Sequence, residues 1–433
     1  MAVALEALKI CETLEGILKG TFGPNGLDVM LNSSSGNILV TNNGALILRS
    51  LNLENPIGRT IVDKIVSCCS ITGDGATSFV LLLTTMLREV VALTGIRANG
   101  IEIFSRQGRS LIALSRAFFK LESTLLEDVV VPVLDGIVIK TDLEVEDFSL
   151  IKRRIIRLIV TTLNGKFPIS TVSHFAELLY ELIIKTWNSS VMSLKDTVLH
   201  MIDEFPQMCT EVPGVPVPSS QVKPGILIPR GFATEQEEIS TPDFMFVVMN
   251  CSLDISGPQT SSSIRIRDDI SLDASVQWKR NQVQKAITMF QDYNIRLILS
   301  SENVSDLVLH FCRQRGIAVV SMIPQEYTDY ICKCAGVLAI DSLDSDNLSE
   351  LFVGKGISCG LNTVSHHKFV HLQFDTSNHK FSPHHILLCS PAQGLCKQYY
   401  IALHHALKCV KMSFSEDGKS CFIYPALVHL NWP

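Results

Sequence analysis

A carboxylate held between two glycines, in Thr72-Gly73-Asp74-Gly75-Ala76-Thr77-Ser78, runs directly into the apolar stretch Phe79-Val80-Leu81-Leu82-Leu83. This order predicts a turn feeding a helix N-terminus. Glycines let backbone approach a ligand closely, and the first amides of a helix lie unsatisfied at the positive end of its dipole, which suits phosphate. Asp74 beside such a cradle is placed to hold Mg²⁺ through one or two carboxylate contacts and the phosphates themselves. Taken alone, the same residues read more simply as a tight turn in which Thr77 or Ser78 caps a core helix.

The company of the turn shifts that balance. Upstream, residues 4–19 carry Leu5, Leu8, Leu14, Ile17 and Leu18 on one stripe, which predicts an amphipathic helix ending at Gly20. A glycine-bracketed turn follows, Phe22-Gly23-Pro24-Asn25-Gly26. Two short apolar runs, 28–31 and 38–41, flank Asn32-Ser33-Ser34-Ser35-Gly36 and predict a hairpin. A second glycine turn, Asn42-Asn43-Gly44, opens another helix, and after Asn55-Pro56 a helix is expected over about 57–70. Three glycine turns within a hundred residues suggest one shared ligand more than any one of them does.

Further on, residues 102–126, 148–163 and 175–187 read as helices, whereas the state of 129–139 is not readable. The character changes at Glu211-Val212-Pro213-Gly214-Val215-Pro216-Val217-Pro218, a proline-rich connection and a candidate boundary. Beyond it come strand-like runs at 225–228 and 244–249, a helix over 274–292, a strand at 295–300, a helix over 304–315 and a strand at 317–321. Strand, helix and strand at that spacing predict a βαβ unit with a parallel sheet. Strands at 369–374 and 386–389 and a helix over 399–410 follow.

Composition closes off several classes. The chain of 433 residues is 46% hydrophobic and 18% charged, which predicts well-packed domains, two or three of them, and no disorder. A net charge of −6 with no long basic run gives nucleic-acid binding little electrostatic support. Glu6, Lys9, Glu12 and Glu15 interrupt the first twenty residues, against a secretory leader, and Arg88 and Glu89 break the longest apolar run, against a membrane span. The 13 cysteines show no paired metal spacing and read as reduced, mostly buried thiols of an intracellular protein.

The order of these motifs resembles the group II chaperonins, the subunits of the cytosolic TCP-1 ring and the thermosome. Their nucleotide domain carries L-G-P-x-G, T-N-D-G-A-T-I-L and G-D-G-T-T-S turns in that order. Here the matching stretches are Phe22-Gly23-Pro24-Asn25-Gly26, Thr41-Asn42-Asn43-Gly44-Ala45-Leu46-Ile47-Leu48 and Gly73-Asp74-Gly75-Ala76-Thr77-Ser78. The likeness continues through 294–320, through His384 to Pro391 and through Ala402-Leu403-His404-His405-Ala406-Leu407. Within the family, Leu53-Glu54-Asn55-Pro56-Ile57 and Ile61-Val62-Asp63 look most like the chaperonin-like proteins of the Bardet–Biedl group.

The resemblance implies an α+β multidomain fold: a helical equatorial domain, a hinge-like intermediate domain and an α/β apical domain that grips protein clients. The expected segments are 1–142 equatorial, 143–212 intermediate, 213–364 apical, 365–410 intermediate on the return, and 411–433 a remnant of an otherwise truncated C-terminal equatorial part. It further implies a nucleotide site at Gly23, Pro24, Gly26, Asn43, Gly44, Gly73, Asp74, Gly75, Ala76, Thr77 and Ser78, taking ATP, with Mg²⁺ on Asp74.

Three departures bear on the chemistry. Asn43 stands where the family has Asp, Ala76 where it has Thr, and His405 where its hydrolytic Asp lies in an L-H-D-A-L helix motif. Losing a catalytic acid–base group typically costs on the order of 10²–10⁴-fold in rate. No residue is therefore assigned a catalytic role, and hydrolysis is not expected. The expected function is a chaperonin-like assembly factor with a degenerate ATP site. It would bind protein clients, or co-assemble with cytosolic chaperonin subunits or other chaperonin-like proteins, in the assembly of a ciliary trafficking complex. The expected location is the cytoplasm or the ciliary base. The alternative is an ATP-hydrolysing subunit of a chaperonin ring; a plain α/β metabolic enzyme lacks any second catalytic constellation.

Eight of the 12 histidines fall between His366 and His405, six of them in pairs at 366–367, 384–385 and 404–405. Neighbours along a strand point to opposite faces and chelate poorly, so metal binding there is not the expectation. A Cys–His nucleophile lacks any glycine elbow or oxyanion signal to frame it.

Overall fold

The computed structural model describes residues 2–23, 26–32, 38–93, 112–113, 115–120, 124, 128, 132–133, 139–142, 148–188, 191–234, 238–239, 243–252, 269–341, 349–374, 381–414 and 420–423. The chain divides into two compact units, Met1–Tyr180 with Lys397–Pro433, and Glu181–Cys396.

The first unit is mainly helical. Helix α1 (Ala2–Leu18) buries Leu8, Cys11, Leu14 and Leu18, a spacing of three and four that puts them on one face. That face meets α4 (Ala76–Leu93), where the buried Thr84 hydroxyl donates to Cys11 O at 3.3 Å and Arg88 reaches Glu15 at 2.9 Å. The expected hairpin is β1 (Val29–Asn32) paired antiparallel with β2 (Ile38–Thr41). Helix α2 (Gly44–Ser50) and helix α3 (Pro56–Thr72) complete the cluster. Asn55 caps α3, its side chain accepting from Ile57 N at 2.9 Å, and Pro56 fills the first turn, where no N–H is missed. Leu14, Leu18, Ile47, Leu48, Ile65 and Val80 form the core beneath these helices. Each such side chain contributes roughly 1.5–3 kcal/mol by leaving water.

The Phe148–Leu163 helix buries Ile151, Ile155, Ile159 and Leu163, four residues apart, and exposes Lys152, Arg153 and Arg157. The chain then turns into the Ile169–Thr186 helix. Phe167 and Phe175 each meet Tyr399 edge-on with centroids 4.9 Å apart. Strand β3 (Ile139–Asp142) pairs antiparallel with a late strand, Ser420–Ile423.

The second unit holds a seven-stranded mixed sheet. One side of it is three parallel strands, Phe244–Met249, Ile295–Ser300 and the edge strand Ala318–Val320, joined through the Asp269–Asp292 and Asp306–Arg315 helices. This is the expected βαβ unit. These strands are apolar almost throughout because both faces are covered, as parallel sheets require. Val353–Val364 and His367–Phe374 extend the sheet antiparallel, and Ile226–Ile228 ends it. A second sheet places His384–Ser390 parallel to Cys209–Pro213 and antiparallel to Gln221–Pro224.

Some sequence expectations shift. Residues 211–213, read as part of a linker, are the end of a strand, because Cys209–Pro213 pairs with the buried His384–Ser390 strand. The long strand Val353–Val364 went unread because Gly354, Gly356 and Gly360 break its apolar pattern. Two of those glycines are demanded by packing: a Cβ on Gly354 would lie 2.4 Å from the Phe246 ring, and one on Gly356 2.3 Å from that of Phe244. The last long helix runs Gln393–Met412, longer than the 399–410 expected. Of the expected helix at 102–126, residues 112–113, 115–120 and 124 are described and helical, and the rest of it, with most of 129–138, lies outside the described residues. Among the described residues no helix is long and apolar enough to cross a membrane.

Candidate functional site

Within the first unit a cavity of about 540 Å³ opens where the glycine turns converge. Of the residues expected there, Gly23, Asn43, Gly44, Asp74, Gly75, Ala76, Thr77 and Ser78 line it. Gly73 stands behind the wall, and Gly26 closes its own turn by donating to Gly23 O at 3.0 Å. Pro24 lies outside the described residues.

Each turn is fixed by local chemistry. Asn43 is the N-cap of α2: its Oδ1 accepts from Ala45 N at 3.0 Å and Leu46 N at 3.3 Å, while Thr41 Oγ1 accepts from Asn43 N at 3.1 Å. Gly44 lets the second and third turns touch, for a Cβ there would lie 2.4 Å from Thr77 Oγ1. Gly73 ends α3 at φ 85°, a left-handed conformation that glycine adopts without steric cost, and its N–H donates to Cys69 O. A Cβ on it would lie 2.6 Å from His405 O, so the Gln393–Met412 helix packs directly against this turn. Lys408 Nζ donates to Ser70 O at 3.0 Å, a cation at the negative end of α3. Asp74 Oδ1 accepts from Gly75 N at 2.8 Å, and the first amides of the 18-residue α4 follow.

The Phe148–Leu163 helix and the turn after it supply what the sequence reading missed. Arg157, Thr161, Thr162, Asn164, Gly165 and Lys166 line the cavity. Asn42 Nδ2 donates to Gly165 O at 2.8 Å and holds that turn against the second glycine turn. Lys166 Nζ lies 3.1 Å from Asp74 Oδ2. The signal was present as a fourth glycine turn, Leu163-Asn164-Gly165-Lys166, but 92 positions separate Lys166 from its partner. Such a distance hides the pairing from any local pattern.

The three departures are now located. Ala76 is 4% exposed, and its methyl packs in the helical core at the cavity edge. Asn43 presents its amide Nδ2 to His405 Nδ1 at 3.5 Å. Burial, then the charges of Lys166 and Lys408, push the His405 imidazolium down to about 4, against a smaller opposing pull from Asp74. Near pH 7 this imidazole is neutral. Cys409, also on the wall, is pushed up to about 12, chiefly by burial. Asp74 is thus the one carboxylate among the described lining residues, against the cations Arg157 and Lys166.

The histidine pairs are dispersed by the fold. His385 is buried on its strand with Nε2 2.7 Å from Thr210 Oγ1, and among the described residues no group of three potential metal ligands converges.

A sequence model of the TCP-1/cpn60 chaperonin family matches residues 14–419. The chain is similar to BBSome complex assembly protein BBS10 of Pongo abelii, 24% identical over 95% of this chain and 57% of that protein. The same protein of Homo sapiens gives the same figures. A thermosome subunit of Methanocaldococcus jannaschii is 21% identical over 77% of this chain and 56% of its own length. The chain therefore spans less than two thirds of the length of each of these three relatives. The narrower likeness to the Bardet–Biedl group, carried by Leu53 to Ile57 and Ile61 to Asp63, stands with these matches.

Proposed function

Because the chain belongs to the TCP-1/cpn60 chaperonin family, we propose that it is a chaperonin-like assembly factor that binds nucleotide without turning it over. Its similarity over 95% of its length to proteins named for BBSome assembly supports a role in building that complex, through protein clients or chaperonin-like partners. In this reading the α/β region at 213–364 is the apical, client-gripping part, with 1–142 and 411–433 equatorial and 143–212 and 365–410 intermediate. The working place would be the cytoplasm, at the ciliary base.

One observation carries the absence of turnover: the neutral imidazole of His405, 3.5 Å from the Asn43 amide. A base pushed down to about 4 holds no charge near neutrality and draws a proton from water only weakly. Neither it nor the amide facing it supplies an anion to align an attacking water. The glycine turns, the α4 amides and the cations remain, and these suffice for binding phosphate. The competing reading, an ATP-hydrolysing ring subunit, needs a carboxylate where His405 stands.

The test is to titrate the purified chain with ATP while following phosphate release. Saturable binding with no release supports the proposal. Turnover comparable to an authentic chaperonin, abolished by Asp74→Ala, overturns it.

A further inference from the structure

We propose that the cavity takes its nucleotide as the free polyphosphate anion, with Lys166 doing the work a divalent cation does elsewhere. The inference rests on the nucleotide reading of this cavity and concerns the chemical form of the ligand.

A Mg²⁺ ion bound with nucleotide is held by one or two carboxylates, substrate phosphates and waters in near-octahedral geometry. The lining residues do not fit that role. Among the described ones the only carboxylate is Asp74. Its Oδ2 is engaged by the Lys166 ammonium at 3.1 Å and its Oδ1 by the Gly75 amide at 2.8 Å. A metal ion at this carboxylate would have to displace an ammonium and then sit a few ångströms from it. The groups near the third turn that might have offset this are neutral, the Asn43 amide and the His405 imidazole.

The same inventory suits a naked polyanion. Lys166 and Arg157 line the cavity from one side, and the amides at the start of α4 line it from the other. Gly75, at φ 104°, leaves its Cβ position open, so nothing screens the backbone there. Ammonium and guanidinium groups bind phosphate oxygens by charge-assisted hydrogen bonds. Lys166, 17% exposed, is held by a carboxylate that a polyphosphate can replace in kind, anion for anion. An incoming Mg²⁺ complex offers Asp74 a second cation where the Lys166 ammonium already sits.

The experiment is equilibrium binding of ATP carrying a fluorescent ribose label to the full chain, once with excess Mg²⁺ and once with excess EDTA. The expected result is that EDTA binding equals or exceeds Mg²⁺ binding, the two within about threefold or the metal-free form tighter. Lys166→Gln should weaken the EDTA measurement by about tenfold or more, the usual scale for losing one charge-assisted contact. Asp74→Asn should tighten it by about threefold to tenfold, since it frees Lys166 and removes an anion facing an anion. A metal-ligand role for Asp74 predicts weaker binding of this variant in the Mg²⁺ measurement, and an Asp74→Asn variant weakened there with its thermal melt intact overturns the inference. Binding seen only with Mg²⁺ overturns it too and leaves the nucleotide reading standing. No binding under either condition overturns the nucleotide reading, and this inference with it.

Discussion

Asn43 Nδ2 and His405 Nδ1 stand 3.5 Å apart, although 362 positions separate them in the chain. The contact joins the cap of α2 to the helix that returns at Gln393–Met412, so the departures at these two positions belong to one place. Two neutral groups face each other where the family resemblance implies two carboxylates.

The capping half of Asn43 is separable from its amide. Asn43→Ala removes an oxygen that accepts from Ala45 N and Leu46 N, and loss of such a cap costs about 1 kcal/mol, within a range of roughly 0.5–2. Asn43→Asp keeps the cap and should match the parent in urea denaturation more closely than Asn43→Ala does. Equal losses for the two variants would show that the amide, not the cap, matters to stability.

Gly73→Ala should be far more damaging. The substitution adds about 1 kcal/mol or more of left-handed backbone strain and drives a methyl to 2.6 Å from His405 O, which is backbone and cannot swing away. The expected outcome is a lower melting temperature together with loss of nucleotide binding. Gly394→Ala, whose Cβ position is open, serves as the control.

Stability should fall as the solution is acidified below about pH 6.5. His385 is pushed down to about 3, first by burial and then by His371, and His405 to about 4, first by burial and then by Lys166. Burial also lowers His200, His371 and His384. Between these native values and the unfolded value of about 6.5, the unfolded chain binds protons that the folded chain refuses, so stability rises with pH across that window. Urea midpoints at about pH 7.5, 6 and 5 check the sign. His385→Gln should flatten the slope, and a midpoint that climbs on acidification contradicts the assignment.

Gly354 and Phe246 should show coupled energetics. Truncating the buried Phe246 to Ala costs about 3–5 kcal/mol, and Gly354→Ala forces a methyl into the same ring. With the ring removed the methyl has space. The double variant should therefore be more stable than the sum of the two losses, by about 1 kcal/mol or more in a denaturation cycle. Simple additivity would mean that the strand had moved rather than the ring.

Residue order was enough for many of the local elements and for the family. Glycine turns at 23 and 73–75 read true because glycine answers a positive-φ backbone requirement that is itself local. Helices such as Phe148–Leu163 read true because their apolar residues recur every four positions. The parallel strands read true because burial on both faces leaves an uninterrupted apolar run. Tertiary structure alone decided what the turns surround. Lys166, 92 positions after Asp74, comes within 3.1 Å of its carboxylate only through the fold. His405 looked like a lost acid, and only its burial beside Lys166 and Lys408 made it a neutral base. Val353–Val364 looked like no strand at all until the rings of Phe244 and Phe246 claimed the space at its glycines. Charge pairing and steric fit act through space over a few ångströms, whereas periodicity and turn chemistry act along the chain, and only the second kind is written in residue order.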